Sequence, residues 1–316
     1  MTDVGQTFQS HAVLLTGGNG FLGKVVLAYL LDRFPDLKHL YVLLRPKFDL
    51  SAAERFYEET LASPALAEIA ARRGEKWLRK RITVLGGDVG APNCGLDEAE
   101  VESLTGRVGA ILNCAGLVEF FPPVEESFRS NVDGVRHLAA MARRIGAKLA
   151  HVSTCFVCGE GDGLVEETEP IVGFYPRRKG SSDTGFDHRQ EIAYCEERMR
   201  QIRESAGSNG TSRDLAQRLT DLGRQRAEHW GWTNTYTYAK SLGEQTLASE
   251  PGLEWTILRP AIIEAALRFP FPGWVEGGRT AAPLVLMARG GMKDWPVRRD
   301  APLDVVPEDL VAAAIL

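Results

Sequence analysis

Tyr236 and Lys240 are the side chains of this sequence best placed by type and spacing to do chemistry. They lie in TNTYTYAKSLGEQ, residues 233–245. Four residues apart, they share one face of a helix. Tyr238 falls about 200° round from Tyr236 and points elsewhere, to pack or to meet solvent. A phenol ionises near pH 10, too high for ready proton traffic at neutral pH. A neighbouring ammonium favours the phenolate and lowers that value, so Lys240 beside Tyr236 reads as an acid and its helper. Y-x-x-x-K also arises by chance, and the reading depends on what the rest of the chain brings to it.

The second chemical signal is AVLLTGGNGFLGK, residues 12–24. Gly17, Gly20 and Gly23 sit three apart, after an apolar run that reads as a strand and at the start of a helical pattern. Such a loop turns tightly, lets the backbone approach a pyrophosphate and packs the helix close to the strand. The helix N-terminus then offers free N–H groups and positive dipole to phosphate. The cofactor-binding candidates here are Thr16, Gly17, Asn19, Gly20, Phe21, Leu22 and Gly23. Where the second strand ends, an NAD site usually has an acid for the ribose 2′-hydroxyl. This sequence has Arg45, with Lys47 close by. A guanidinium suits a 2′-phosphate, which favours NADPH over NADH. An exposed basic turn would carry the same residues. Asp88, with Val89 after it, follows the third strand and is placed to hold the adenine amino group. Cys114, Ala115 and Gly116 are small residues after the fourth strand, where backbone would line the cofactor. Lys240 would reach the nicotinamide ribose.

These residues need elements to hold them. The apolar runs 12–16, 40–44, 82–86, 110–114, 149–153 and 255–260 read as buried strands, and helical patterns alternate with them. That alternation predicts an α/β fold, a doubly wound parallel sheet of Rossmann type. Residues 160–233 break the rhythm. Ile192, Cys195, Met199 and Ile202 form one helical stripe; Leu215, Leu219, Leu222 and Trp230 form another, with AGSNG (206–210) as the turn. A helical hairpin is expected there, its stripe serving equally as cover for an acyl chain or as packing against the sheet. The expected organisation is a single domain over 10–316. Its cofactor-binding core is 10–155 and 234–262, and its substrate side is 156–233 and 263–316.

Composition excludes several classes. Of 316 residues, 44% are hydrophobic and 25% charged, the balance of a globular protein with a sizeable core. A net charge of −5 gives no electrostatic basis for nucleic-acid binding. The N-terminus lacks a signal-peptide layout, and no apolar run nears the roughly 18 residues that span a bilayer. Five irregularly spaced cysteines fit a reducing compartment, so a cytoplasmic location is expected, with peripheral membrane contact left open. Cys155 and Cys158 form C-x-x-C without a second pair, so core thiols are expected and no metal. The basic PRRKG (176–180) suits CoA phosphates or an acidic carrier, and equally a solvated loop. FPGWVEGG, from 271, suits a substrate-side loop.

The T-G-x-x-G-x-x-G spacing resembles the short-chain dehydrogenase/reductase variant of the dinucleotide loop. In that class AHVSTCFVCG (150–159) puts Thr154 where a Ser or Thr binds the substrate carbonyl oxygen. Ser153 is the understudy, and strand-end capping is the plainer role. LRPAII resembles the R-P-x-x-I segment that lies against the nicotinamide, which adds Pro260 and Ile262 to the cofactor set. More specifically, TGGNGFLGKVVLAYLLDRFPDLKHLYVLLRPK resembles the opening of the alcohol-forming fatty acyl-CoA reductases. HVSTCFV, YTYAKSLGEQ, LRPAII and FPGWVEG resemble their later motifs in order. Asn19 replaces a usual Thr, and Cys158 stands where Tyr or Asn is common. The resemblance implies NADPH-dependent reduction of a long-chain fatty acyl-CoA to aldehyde and on to primary alcohol, with Thr154, Tyr236 and Lys240 catalytic. It also implies a further C-terminal region beyond a helix that opens at Pro307. A carrier-protein-linked thioester reductase is the nearest alternative. A sugar-nucleotide epimerase normally favours NAD, which Arg45 opposes, and a non-catalytic NADPH sensor would not need the Tyr–Lys pair.

Overall fold

The short apolar runs of the sequence become strands β1 (Ala12–Thr16), β2 (Leu40–Leu44), β3 (Ile82–Gly86), β4 (Val108–Asn113), β5 (Lys148–Val152) and β6 (Trp255–Leu258). A computed structural model describes residues 4–160, 164–178, 185–206, 211–277, 282–295 and 303–316. Two units make up the chain, Met1–Leu85 with Pro260–Leu316, and Gly86–Arg259. The strands run 3-2-1 in the first unit and 4-5-6 in the second, the order of a doubly wound nucleotide-binding sheet. The first three runs match the sequence reading residue for residue. The fourth strand starts two residues earlier than expected and the fifth one earlier. The sixth stops at Leu258, because Arg259 turns its guanidinium to Glu244 and Pro260 has no N–H for a ladder.

In the first unit, β1 and β2 pair in parallel from Val13↔Leu40 to Thr16↔Leu43. All five residues of β1 are buried. The helix Phe21–Arg33 is buried on most of its surface, including Val25, Val26, Leu27, Leu30 and Leu31. A helix apolar nearly all round lies inside rather than on the surface. Its last carbonyls are taken by Arg73, which donates to Leu31 O at 2.9 Å and Asp32 O at 3.0 Å. The C-terminal helix Glu308–Ile315 packs on it, after the short parallel pair β7 (Ile262–Glu264) and β8 (Val305–Pro307). Asp309 accepts the N–H groups of Leu267, Arg268 and Phe269 at 2.8, 2.9 and 3.1 Å. Together they fix the turn that leads into the FPGWVEG segment.

In the second unit, β4, β5 and β6 pair in parallel, with Ile111 opposite Leu149 and Leu149 opposite Trp255. The helical hairpin is present as His188–Ala206 and Ser212–Trp230. Residues 207–210 of its predicted turn lie outside the described residues. Ile192, Cys195, Ile202, Leu219 and Leu222 are buried in one cluster with Phe128, Trp232, Tyr238 and Leu242. The stripe is therefore core packing, which decides between the two uses the sequence left open. Glu191 at the centre takes two bonds from Arg226, at 2.9 and 2.6 Å, and one from the Tyr238 hydroxyl at 2.5 Å.

Glu308 is fully buried, and among the described residues neither carboxyl oxygen has a hydrogen-bond partner. Burial, with Asp309 and Glu276 nearby, pushes it up to about 9. Its folded value lies above the ordinary carboxyl value, so the stability it contributes is complete at low pH and is lost as pH rises towards about 9. Glu308→Gln is neutral at every pH. It should raise the melting temperature at about pH 8 by about 5 °C and hardly at all near pH 4, as read by thermal melts. Equal shifts at both pH values would show that the carboxyl does not titrate in this range.

Candidate active site

The helix Thr235–Ala248 starts at Asn234, whose side-chain oxygen accepts Thr237 N–H at 2.9 Å. From that start Tyr236, Lys240 and Gly243 fall on one face, one turn apart. Lys240 is buried, and its ammonium donates to the carbonyl of Val152 at the end of β5, at 2.9 Å. Thr154, two residues on, caps the 3₁₀ turn Cys155–Cys158 by accepting Phe156 N–H at 3.3 Å. The indole of Trp232 donates to Val157 O at 2.8 Å and ties that turn to the start of the Tyr236 helix. The Thr154 hydroxyl is near enough to the Tyr236 phenol to lower its pKa. The expected trio is thus assembled within one unit.

The electrostatics differ from the sequence expectation. Burial pushes the Tyr236 phenol up to about 12, the Thr154 hydroxyl opposes this, and Cys155 adds to it. Lys240, whose ammonium is turned to the Val152 carbonyl, is not among the groups that shift the phenol. Burial lowers Lys240 itself to about 8, against the raising effects of Glu244 and Cys114. Tyr236 is thus a fully protonated donor at neutral pH, and Lys240 is a cation close to losing its charge.

Close approach at this site requires glycine. A β-carbon on Gly116 would stand 3.0 Å from both Lys240 Nζ and Asn131 Oδ1, and one on Gly243 would meet the Asn131 carbonyl at 2.1 Å. Asn131 was not anticipated. It lies in a π-helical turn, Arg129–Asp133, where its amide accepts Leu117 N–H at 3.1 Å and donates to Leu117 O at 2.9 Å. A π turn leaves no periodic trace; the available signal was Gly243, a glycine inside a helical pattern on the catalytic face. His151 was missed as well. Asn113 accepts Ala115 N–H at 3.1 Å, so its amino group donates to His151 Nδ1 at 2.9 Å. Burial and the Lys240 charge keep this imidazole neutral. Among the described residues, His151 Nε2 and the Ser153 hydroxyl have no hydrogen-bond partner, so Ser153 does not cap the strand.

Other expected positions fall as follows. Cys114 is half-buried, its thiol pushed up to about 12 by burial. Asp88 accepts Gly90 N–H at 2.9 Å and Arg129 at 2.6 Å, so its carboxylate is engaged within the protein. The Val89 carbonyl meets His137 at 3.0 Å. Cys155 and Cys158 are half-buried, not core thiols, because the 3₁₀ turn that carries them leaves the sheet. Arg177 is exposed and donates to His229 O at 3.3 Å, and Arg178 pairs with Glu169, so the first part of PRRKG is bonded within the protein while Arg177 still meets solvent. Lys179 and Gly180 lie outside the described residues.

In the first unit, Gly17 has φ +70°, and Gly20 N–H donates to Gly17 O at 2.9 Å. A β-carbon on Gly23 would meet Gly17 O at 2.0 Å. No side chain caps the helix that begins at Phe21. A tight cradle facing an uncapped helix N-terminus fits a dinucleotide pyrophosphate. Thr16 is buried, whereas Asn19, Phe21 and Leu22 are half-buried. Phe21 stacks on Trp274, with centroids 5.3 Å apart, and Lys24 pairs with Glu276 at 2.5 Å, so FPGWVEG packs on the loop helix. Arg45 and Lys47 are exposed, and Pro260 and Ile262 are half-buried. Among the described residues, no helix is long and apolar enough to cross a membrane.

Residues 15–315 match the family described as male sterility protein, an NAD-binding domain. The chain is 29% identical to the alcohol-forming fatty acyl-CoA reductase of Simmondsia chinensis, over 100% of this chain and 64% of that protein. It is 30% identical to the probable fatty acyl-CoA reductase 4 of Arabidopsis thaliana, over 98% of this chain and 64% of that one. Among solved structures, the terminal R domain of the myxalamid PKS-NRPS pathway aligns with TM-score 0.65 at 26% identity, over 96% of this chain and 61% of that one. The chain thus spans a little under two thirds of these relatives. With its glycine cradle and its match along almost the whole length, the chain belongs to the male sterility protein family of NAD(P)-binding domains.

Proposed function

We propose that this chain is the reductase part of an NADPH-dependent fatty acyl-CoA reductase, converting a long-chain acyl thioester to aldehyde and on to primary alcohol. The observation that carries the reading is the Thr154 hydroxyl acting on the Tyr236 phenol, with a buried lysine one helical turn on, in a chain similar to fatty acyl-CoA reductases. The reading treats 10–316 as one reductase domain, with its cofactor core at 10–155 and 234–262 and its substrate side at 156–233 and 263–316.

When bound, NADPH supplies the hydride for the thioester carbonyl. Thr154 and Tyr236 hydroxyls donate to the carbonyl oxygen as negative charge develops there, and Tyr236 gives up its proton. A phenol held near 12 keeps that proton until the oxygen becomes more basic than it is. Loss of CoA thiol from the hemithioacetal leaves the aldehyde, whose carbonyl meets the same two hydroxyls for a second reduction. Lys240 holds the ribose hydroxyls, and Arg45 with Lys47 takes the 2′-phosphate. An acyl group on a carrier protein is the second reading, supported by similarity to the myxalamid R domain.

Palmitoyl-CoA turnover tests this directly. Two NADPH oxidised per thiol released is the expected result, and one would limit the product to aldehyde. Absence of turnover despite NADPH binding would favour the carrier-bound substrate. Tyr236→Phe should lower kcat by about 10³-fold or more while leaving NADPH affinity near wild type; retained turnover would remove Tyr236 from the acid role. Arg45→Ala should raise KM for NADPH about tenfold and leave NADH alone, whereas equal effects would sink the phosphate assignment. The Lys240 charge is present below about pH 8 and lost above it, so kcat/KM should fall as pH rises through about 8. A profile flat to about pH 10 would show that the charge is not required.

A further inference from the structure

We propose that Phe120 and Phe156 form an aromatic wall beside Tyr236 and Thr154 that receives the acyl chain of the thioester. The inference rests on the acyl thioester reading above and names where its apolar half goes. Phe120 is 60% exposed and Phe156 38%. Large apolar side chains gathered at one place on a surface mark a binding site more often than isolated ones do. The Phe120 ring lies 6.4 Å from the Tyr236 ring, centroid to centroid, and Phe156 donates its N–H to Thr154 Oγ1 at 3.3 Å.

The segment that presents Phe120 is held at two points. Asn131 bonds both the N–H and the carbonyl of Leu117, and Thr235 N–H donates to Phe120 O at 3.0 Å. Pro122 and Pro123 follow and restrict the chain further. The ring is thus fixed next to Tyr236 before any ligand arrives, which lowers the ordering cost of binding.

The chemistry of the substrate selects the occupant. A thioester carbonyl at Thr154 and Tyr236 carries two arms. The sulfur arm leads into pantetheine, whose amides need hydrogen bonds, and the carbon arm is a plain alkyl chain. Exposed phenyl rings offer no hydrogen bonds to amides and gain from covering methylenes, at a free energy proportional to the area removed from water. The alkyl arm is the one that fits.

The test is calorimetric binding of CoA and of its decyl thioether, which has no carbonyl and is not reduced. Wild type should bind the decyl compound more tightly than CoA. Phe120→Ala and Phe156→Ala should each lose about tenfold of the decyl affinity and leave CoA affinity within about twofold. Phe120→Leu, which keeps apolar area, should recover most of the loss and shows that folding is intact. Equal loss for both ligands would place the pantetheine arm on the wall and overturn the proposal, as would no loss for either. If wild type binds the decyl compound in this way but does not reduce palmitoyl-CoA, the free acyl-CoA reading falls while the wall stands.

Discussion

A lysine with its ammonium buried is the constraint around which the second unit is built. Lowering Lys240 to about 8 means that its surroundings disfavour the charge by about 3 kcal/mol, comparable to two or three ordinary hydrogen bonds. Such a group persists only where it is hydrogen-bonded and has room. The Val152 carbonyl supplies the bond at the end of β5, and Gly116 supplies the room. Because the lysine reaches β5, Tyr236 one turn earlier is carried to Thr154, which follows that strand by two residues. Placing one ammonium therefore sets the distance between the two hydroxyls.

The same helix needs a second close contact, and Gly243 makes it. The Asn131 carbonyl occupies the space of the absent β-carbon, so the π turn lies directly against the helix. That turn aims the Asn131 amide at Leu117 and fixes the segment bearing Phe120. Helix, strand end and aromatic segment are therefore coupled through three residues with little tolerance for size: Gly116, Asn131 and Gly243.

Much of this was legible in the sequence where local chemistry decides it. The strands at 12–16, 40–44 and 82–86 were readable to the residue, since Gly, Asp and polar turns bound each apolar run. The hairpin stripe was readable from helical periodicity, but its use as packing was not, since an acyl cover needs the same apolar residues. Tyr236 and Lys240 were readable from spacing four, and the loop glycines from spacing three. The direction of the phenol's pKa was not, because burial is a tertiary property and outweighed the charge that sequence proximity put forward. Asn131 and His151 escaped for a related reason. A π turn has no period of its own, and a histidine inside an apolar strand reads as core until its neighbours are known.

The two tyrosines show how helix geometry separates similar groups. Both phenols are raised by burial, and they stand two residues apart. Tyr238 points into the core, where its proton is committed to Glu191, and that carboxylate is held in turn by Arg226. Releasing the Tyr238 proton would put a phenolate beside a buried carboxylate, which the interior opposes. Its bond holds the hairpin to the Tyr236 helix instead. Tyr236, about 200° away, is half-buried, and the Thr154 group that acts on it is a neutral hydroxyl that offers no competing charge. Only this proton can be given to an arriving oxygen without leaving a charged partner behind. In the proposed function, what each hydroxyl faces marks Tyr236 as the acid, and the anchoring of its neighbour keeps it facing there.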